Sequence, residues 1–275
     1  MHGIKELFEK ARGKSMTQTL SLAISKREAI AQLIYTDLRK AFYALNLIRY
    51  RLQYPNVKFS SGVKIRGKFS ITGKGQVEIG ENCVFIGSDK NLPNKIVTQD
   101  FSAKISIGNN CTFYGTTLSV EGNGQIEIGN NCYFVIHSPI PNSIEVQAAE
   151  AKITIRDRCS FNGAKVIAKN CVELKKQCFV SDSLIVDTDY HSVEINRWDP
   201  NTKVKTKPIC VGENVWLGSR SVILKGVFIG DNSVIGLGTI VRQSVPENVV
   251  VIGNPQKIVK TLDTNILPYK FPEDL

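Results

Sequence analysis

The sequence predicts a mainly β protein, a parallel β-solenoid entered through an N-terminal α-helical arm, and three observations carry that prediction. From Val63 onward, short β-branched runs end in Gly-Asn or Asn-Asn; apolar residues there recur every six positions; and residues 14–54 contain neither Gly nor Pro. The chain has 275 residues, 42% hydrophobic and 22% charged, which is ordinary globular composition. With 21 Gly and 10 Pro it is neither collagen-like nor a disordered linker, and it lacks a run of about 18 apolar residues that could span a bilayer. The opening stretch, MHGIKELFEKARGK, is polar and charged, unlike a secretory leader, so a cytoplasmic location is expected.

The arm comes first. Residues 1–54 hold five Lys and five Arg against Glu6, Glu9, Glu28 and Asp37, a net +6 of the total +10. Ile24, Ile30, Ile34, Leu38, Phe42, Leu45, Ile48 and Leu52 recur at three, four or six residues, the stripe of an amphipathic helix. Ser15 or Thr17 is placed to cap it, Pro55 marks its end, and a shorter helix is expected over Ile4 to Ala11. Two readings stand for this arm. Its stripe packs on the rest of the protein with the charges solvated, or it meets anionic lipid or a membrane-bound substrate.

The body repeats itself. Ile79-Gly80-Glu81-Asn82-Cys83-Val84, Ile107-Gly108-Asn109-Asn110-Cys111-Thr112 and Ile128-Gly129-Asn130-Asn131-Cys132-Tyr133 are copies of one unit, followed by the looser Ile155 to Ser160 and Ile167 to Val172. After Cys210 the apolar residues Val211, Leu217, Ile223, Ile229, Ile235 and Val241 are each six apart. Such a period describes a coil with flat faces, each a short strand with one aliphatic side chain pointing inward, closed by turns where Gly, Asn and Asp tolerate positive φ. Three hexapeptides make a triangular turn, and stacked turns pair their strands. Seven cysteines with no C-x-x-C pair fit neither a disulfide framework nor a zinc knuckle. Six of them, Cys83, Cys111, Cys132, Cys159, Cys171 and Cys178, stand four positions after an aliphatic residue and are expected to fill the interior as small apolar side chains.

Lys207-Pro208-Ile209, Val211-Gly212-Glu213-Asn214-Val215-Trp216-Leu217-Gly218, Ile223-Leu224-Lys225-Gly226-Val227, Ile229-Gly230-Asp231-Asn232-Ser233-Val234-Ile235-Gly236 and Ile252-Gly253-Asn254-Pro255 resemble the hexapeptide-repeat acyltransferases, closest to the bacterial polysaccharide and sugar O-acetyltransferases. The resemblance implies a left-handed parallel β-helix, a homotrimer with active sites between subunits, and acetyl-CoA as acyl donor. The expected division is a basic helical arm over 1–55, a β-helix over 56–262 with a catalytic loop at 187–207, and a tail over 263–275.

The repeat specifies architecture, so chemistry is sought where the repeat breaks. The largest break in the C-terminal half runs from Asp189 to Thr206 and is entered through Asp187-Thr188-Asp189-Tyr190-His191. Only three histidines exist: His2 is terminal, His137 precedes Ser138-Pro139 in an expected turn, and His191 has two carboxylates just upstream, the groups that fix and stabilise an imidazolium. By the resemblance His191 is the catalytic base, oriented by Asp189 or, second, Asp187, with the indole N–H of Trp216 or a backbone N–H facing the oxyanion. Coenzyme A contacts carried over by position are Trp216, Gly218, Ser219, Leu237, Gly238, Arg242, Gln243, Lys257 and Lys260; Leu237 and Gln243 depart from the usual residues there. No metal is expected, since a γ-type carbonic anhydrase needs three zinc histidines and the repeat region offers His137 and His191 alone.

The implied function is O-acetylation of a sugar hydroxyl in a bacterial capsule, lipopolysaccharide or exopolysaccharide, in the cytoplasm with contact to the inner membrane face through the arm. The alternatives are N-acetylation of a nucleotide-linked amino sugar and a non-enzymatic β-helix that mediates assembly. Nucleic acid is not an expected partner, because no aromatic-basic motif accompanies the +10. Acceptor choice is expected to lie in the irregular stretches Ser88 to Phe101, Ser138 to Ala151 and Asp189 to Thr206.

Overall fold

The structure, a computed structural model, describes residues 16–87, 92–136, 140–266, 269 and 271. His2, Ser15, His137 and the short helix expected over Ile4 to Ala11 lie outside the described residues. The chain divides into two compact units, Met1–Ile48 and Arg49–Leu275.

Helix α1 spans Met16–Gln53, so Thr17 lies within it rather than capping it. Among the described residues no helix is long and apolar enough to cross a membrane. In the single chain Ile34, Leu38, Phe42, Leu45 and Ile48 are exposed. The last helical turn belongs to the second unit. There Tyr50 is buried, stacks on Tyr54 at 6.1 Å and meets the Phe69 ring edge-on at 5.6 Å, while Arg51 Nη2 donates to Phe59 O at 2.7 Å. These contacts cover the open end of the solenoid, whose first coil otherwise presents apolar interior to water.

The second unit is the parallel β-helix that the six-residue period predicts. Successive strands join a first, second and third sheet in turn, of eight, ten and eight strands, beginning with Val57–Phe59, Lys64–Arg66 and Phe69–Gly73. Val211 pairs with Ile229 one coil of three hexapeptides later, whereas Val172 pairs with Ile209 because the intervening coil carries the long insertion. The final strand, Lys257–Thr261, turns back antiparallel on Val249–Ile252 at the edge of the second sheet.

Corners between the first and second faces explain the Gly-Asn-Asn spelling. Asn82, Asn110, Asn131, Asn214 and Asn232 all have φ between 55° and 61°, a conformation that Asn adopts more readily than most residues. The preceding residue ties one coil to the next: Asn109 Oδ1 accepts from Glu81 N at 2.8 Å, Asn130 Oδ1 from Asn109 N at 2.8 Å, and Asp157 Oδ1 from Asn130 N at 2.6 Å.

Behind those corners runs a column of thiols. Cys83, Cys111, Cys132, Cys159 and Cys178 are fully buried, and each Sγ donates to a carbonyl of the next coil, Gly108, Gly129, Arg156, Lys175 and Gly212 at 3.1–3.3 Å. The hydrogen bond with Cys132, with burial, pushes the Cys111 thiol up to about 12. Cys171 is the correction. It opens the strand Cys171–Leu174, opposite Lys152 on the outer side of the first face, and is only half-buried. The count from Ile167 fails because the corner there, Lys169-Asn170, leads from the third face straight into the first and lacks the extra residues of the Gly-Asn-Asn turn. Thiolate character and access together govern thiol reactivity. Ellman's reagent on the native protein is therefore expected to label at most Cys171 and Cys210, the five column thiols reacting only after denaturant; labelling of a third described thiol under native conditions would contradict the column.

Along the second face the interior is aromatic. Phe85, Phe113, Phe134 and Phe161 are buried and stack with centroids 4.9, 4.8 and 4.7 Å apart, near parallel at 7–8°. The stack continues as Val180, Leu217 and Ile235.

Candidate active site

The insertion leaves the third face after the strand Leu184–Val186 and rejoins the first at Ile209–Val211. A narrow neck holds its base. Lys207 N donates to Asp187 O at 3.0 Å, Thr188 bridges Thr206, and Asp189 N donates to Lys205 O at 3.2 Å. Just above the neck Tyr190 takes φ 61°, its amide donating to Thr188 Oγ1 at 3.1 Å, and the His191 amide donates to Asp189 O at 2.7 Å. This turn places His191 in the lining of an open cavity of about 550 Å³, together with Asp189, Ser192, Val193, Arg197 and Trp198.

The two aspartates have separate tasks. Asp187 is fully buried, its Oδ1 accepting from Lys169 N at 2.7 Å and its Oδ2 from Asn170 N at 2.8 Å. Burial raises its carboxyl above the ordinary value, against the lowering pull of those amides. Asp189 forms an ion pair and hydrogen bond with Lys225 of the following coil. Neither carboxylate holds the His191 ring in the single chain: Asp187 fixes the neck to the coil below, and Asp189 fixes it to the coil above. Asp187→Asn puts an amide NH2 against one of the two backbone donors, so it is expected to cost about 1–3 kcal/mol in denaturant unfolding; a loss below a few tenths would show that the neck does not depend on this carboxylate.

Sorting the remaining sequence-predicted residues by face separates them. Arg242 and Gln243 follow the strand Ile240–Val241 and lie on the third-to-first edge, the edge that carries His191. Arg242 Nη2 donates to Asn254 Oδ1 at 2.5 Å, and the Arg242 and Gln243 amides donate to Gln256 Oε1 at 2.7 and 3.1 Å. Trp216 is half-exposed on the second face, between Phe179 and Val234, opposite that edge. Lys257 and Lys260, both exposed, are on the same sheet as Trp216. Gly218, Ser219, Leu237 and Gly238 form the second-to-third edge, where Gly238 N donates to Ser219 O at 2.9 Å. A Cβ at Gly218 would come within 2.7 Å of Ile235 O, whereas one at Gly238 would meet nothing within 4 Å. One chain thus does not bring Trp216 to His191; the tryptophan beside this histidine is Trp198.

Trp198, Arg197, Ser192 and Lys225 were not singled out from sequence. Trp198 is one of two tryptophans and lies inside the largest break, so its type and place could have marked it. Lys225 stands at a corner of the densest repeat, but only the stacking of coils reveals Asp189 as its partner. Among the described residues no group of three His, Cys, Asp or Glu side chains is placed to hold a metal ion.

With this geometry in hand, residues 208–243 match the family model described as hexapeptide repeat of succinyl-transferase. A solved polysialic acid O-acetyltransferase, OatWY, superposes with a TM-score of 0.53 over 78% of this chain and 95% of that one, at 21% identity, a likeness of fold. Repeat and fold together make the body a hexapeptide-repeat, left-handed parallel β-helix. Within that class its sequence is similar to named acetyltransferases. It is 44% identical over 73 residues to the galactoside O-acetyltransferase of Escherichia coli (strain K12), covering 26% of this chain and 36% of the relative. It is 35% identical over 91 residues to a putative acetyltransferase of Saccharomyces cerevisiae (strain ATCC 204508 / S288c), 33% of this chain and 46% of that one. The chain therefore spans less than half the length of these curated relatives.

Proposed function

We propose that the protein is an acetyl-CoA-dependent O-acetyltransferase acting on a sugar hydroxyl of a bacterial surface polysaccharide or its precursor, with His191 as general base. The observation that carries this reading is the placement of His191 in the lining of the cavity formed by the insertion that directly precedes residues 208–243, the stretch matched by the hexapeptide-repeat model. A ring nitrogen of His191 accepts the proton of the acceptor hydroxyl as that oxygen bonds to the thioester carbonyl carbon. The C–S bond then breaks, and the imidazolium returns the proton to the departing thiolate, so acetyl ester and free thiol are formed in equal amounts. Arg197 and the Trp198 ring, exposed at the cavity, suit an acidic sugar and its apolar ring face.

Because Trp216, Lys257 and Lys260 lie on the face opposite His191, the reading requires two copies: one supplies the histidine loop, the neighbour supplies the second face with its indole N–H for the oxyanion and lysines for phosphate. A homotrimer meets that need. The test is incubation of purified protein with acetyl-CoA and fragments of the host's own polysaccharides, reading free thiol and acetyl ester together. Thiol release that depends on acceptor and matches ester formed supports the proposal; no turnover on any hydroxylated acceptor, with turnover on an amino sugar nucleotide, replaces it with N-acetylation.

A further inference from the structure

We propose that helix α1 is a coiled-coil strand that packs against the same helix of other copies of this chain. The seam is Ala31, Ile34, Leu38, Ala41, Leu45 and Ile48, spaced alternately by three and four residues, with Leu52 in the same register. Leu38 and Leu45 take the a positions and Ile34, Ala41 and Ile48 the d positions. In the single chain this whole stripe faces water: Ile34 is 57% exposed, Leu38 65%, Leu45 67% and Ile48 51%. A contiguous apolar stripe of this length marks an interaction surface.

The choice of a second copy over a lipid surface rests on three features. A strict seven-residue repeat drifts by ~20° per heptad on a straight helix, and winding around a partner helix removes that drift whereas a flat bilayer does not. In parallel pairing Asp37 faces Phe42 of the neighbour and Ala44 faces Arg49, so no like charges oppose each other across this part of the seam. One basic group is also turned onto its own helix: the Arg39 guanidinium lies 5.7 Å from the centroid of the Tyr35 ring and 5.9 Å from that of Tyr43. Tyr35 and Phe42, 61% and 63% exposed, flank the seam and widen it, and Leu at a with Ile at d favours more than two strands. The seam does not rest on the proposed activity, although a trimeric body would supply three such helices.

The experiment uses the full chain with Cys171→Ser and Cys210→Ser, which leaves the buried thiols as native background. Leu45→Cys, on the seam, and Arg39→Cys, off it, are oxidised mildly without lipid and run on a non-reducing gel. A thiol-reversible band at twice the chain mass is expected for Leu45→Cys and not for Arg39→Cys. Ile48→Cys repeats the seam position should Leu45→Cys fail to fold. Equal linking at both sites, no linking at either seam position, or linking that appears only with phosphatidylglycerol vesicles overturns the proposal, the last in favour of a membrane-surface helix.

Discussion

His191→Ala is expected to lower acetyl transfer about 10²- to 10⁴-fold, the usual worth of positioned proton transfer, while leaving the fold intact. The fold should survive because the histidine side chain is exposed and the neck beneath it is held by main chain, Asp187 and the Asp189–Lys225 pair. The loss should fall on kcat more than on KM, since the imidazole acts on the proton in flight rather than on the bound ground state. His191→Gln keeps a hydrogen-bonding side chain but cannot take the proton, so it is expected to lose kcat as the Ala variant does. Full activity of the folded Ala variant would remove His191 from the chemistry and leave the assembly reading of the β-helix in its place.

Phe134→Ala is expected to cost about 3–5 kcal/mol. Its ring is fully buried between Phe113 and Phe161, 4.8 and 4.7 Å away and near parallel to both, and it is hydrogen-bonded into a coil with neighbours above and below. A solenoid cannot close such a gap sideways, because each coil's backbone is fixed by strand pairs on three faces. Denaturant unfolding measures it, with Phe134→Leu retaining most of the volume and losing less. A cost near 1 kcal/mol for the Ala variant would mean that the column relaxes around the gap.

Most of the body was legible because its grammar is local. Ile79, Ile107, Ile128 and Ile155 are each followed six residues later by Phe85, Phe113, Phe134 and Phe161, so the aromatic column is written in the repeat. The corner asparagines and five interior cysteines followed from counting. Cys171 did not, because the corner before it is shorter than the others and counting assumes equal corners. The arm was legible as a helix, and the two readings of its stripe stayed open for a physical reason: amphipathicity says that a face wants a partner, not which one.

The candidate site was legible in part. Rarity pointed to His191, since few imidazoles exist and one lies in the longest break. Its surroundings were not legible: Asp187 and Asp189 are two residues apart in sequence yet bind opposite coils, and Trp216, assigned to the site by the resemblance, lies on the opposite face.

What the sequence by itself determined is therefore the period, the inward column and the corners, since each depends on residues within one hexapeptide and on the φ they tolerate. Only the tertiary structure decided which outward side chains share an edge. Coils interrupted by insertions of unequal length bring distant residues such as Asp189 and Lys225 into contact and carry near ones apart, and that outcome depends on stacking, which no local count contains.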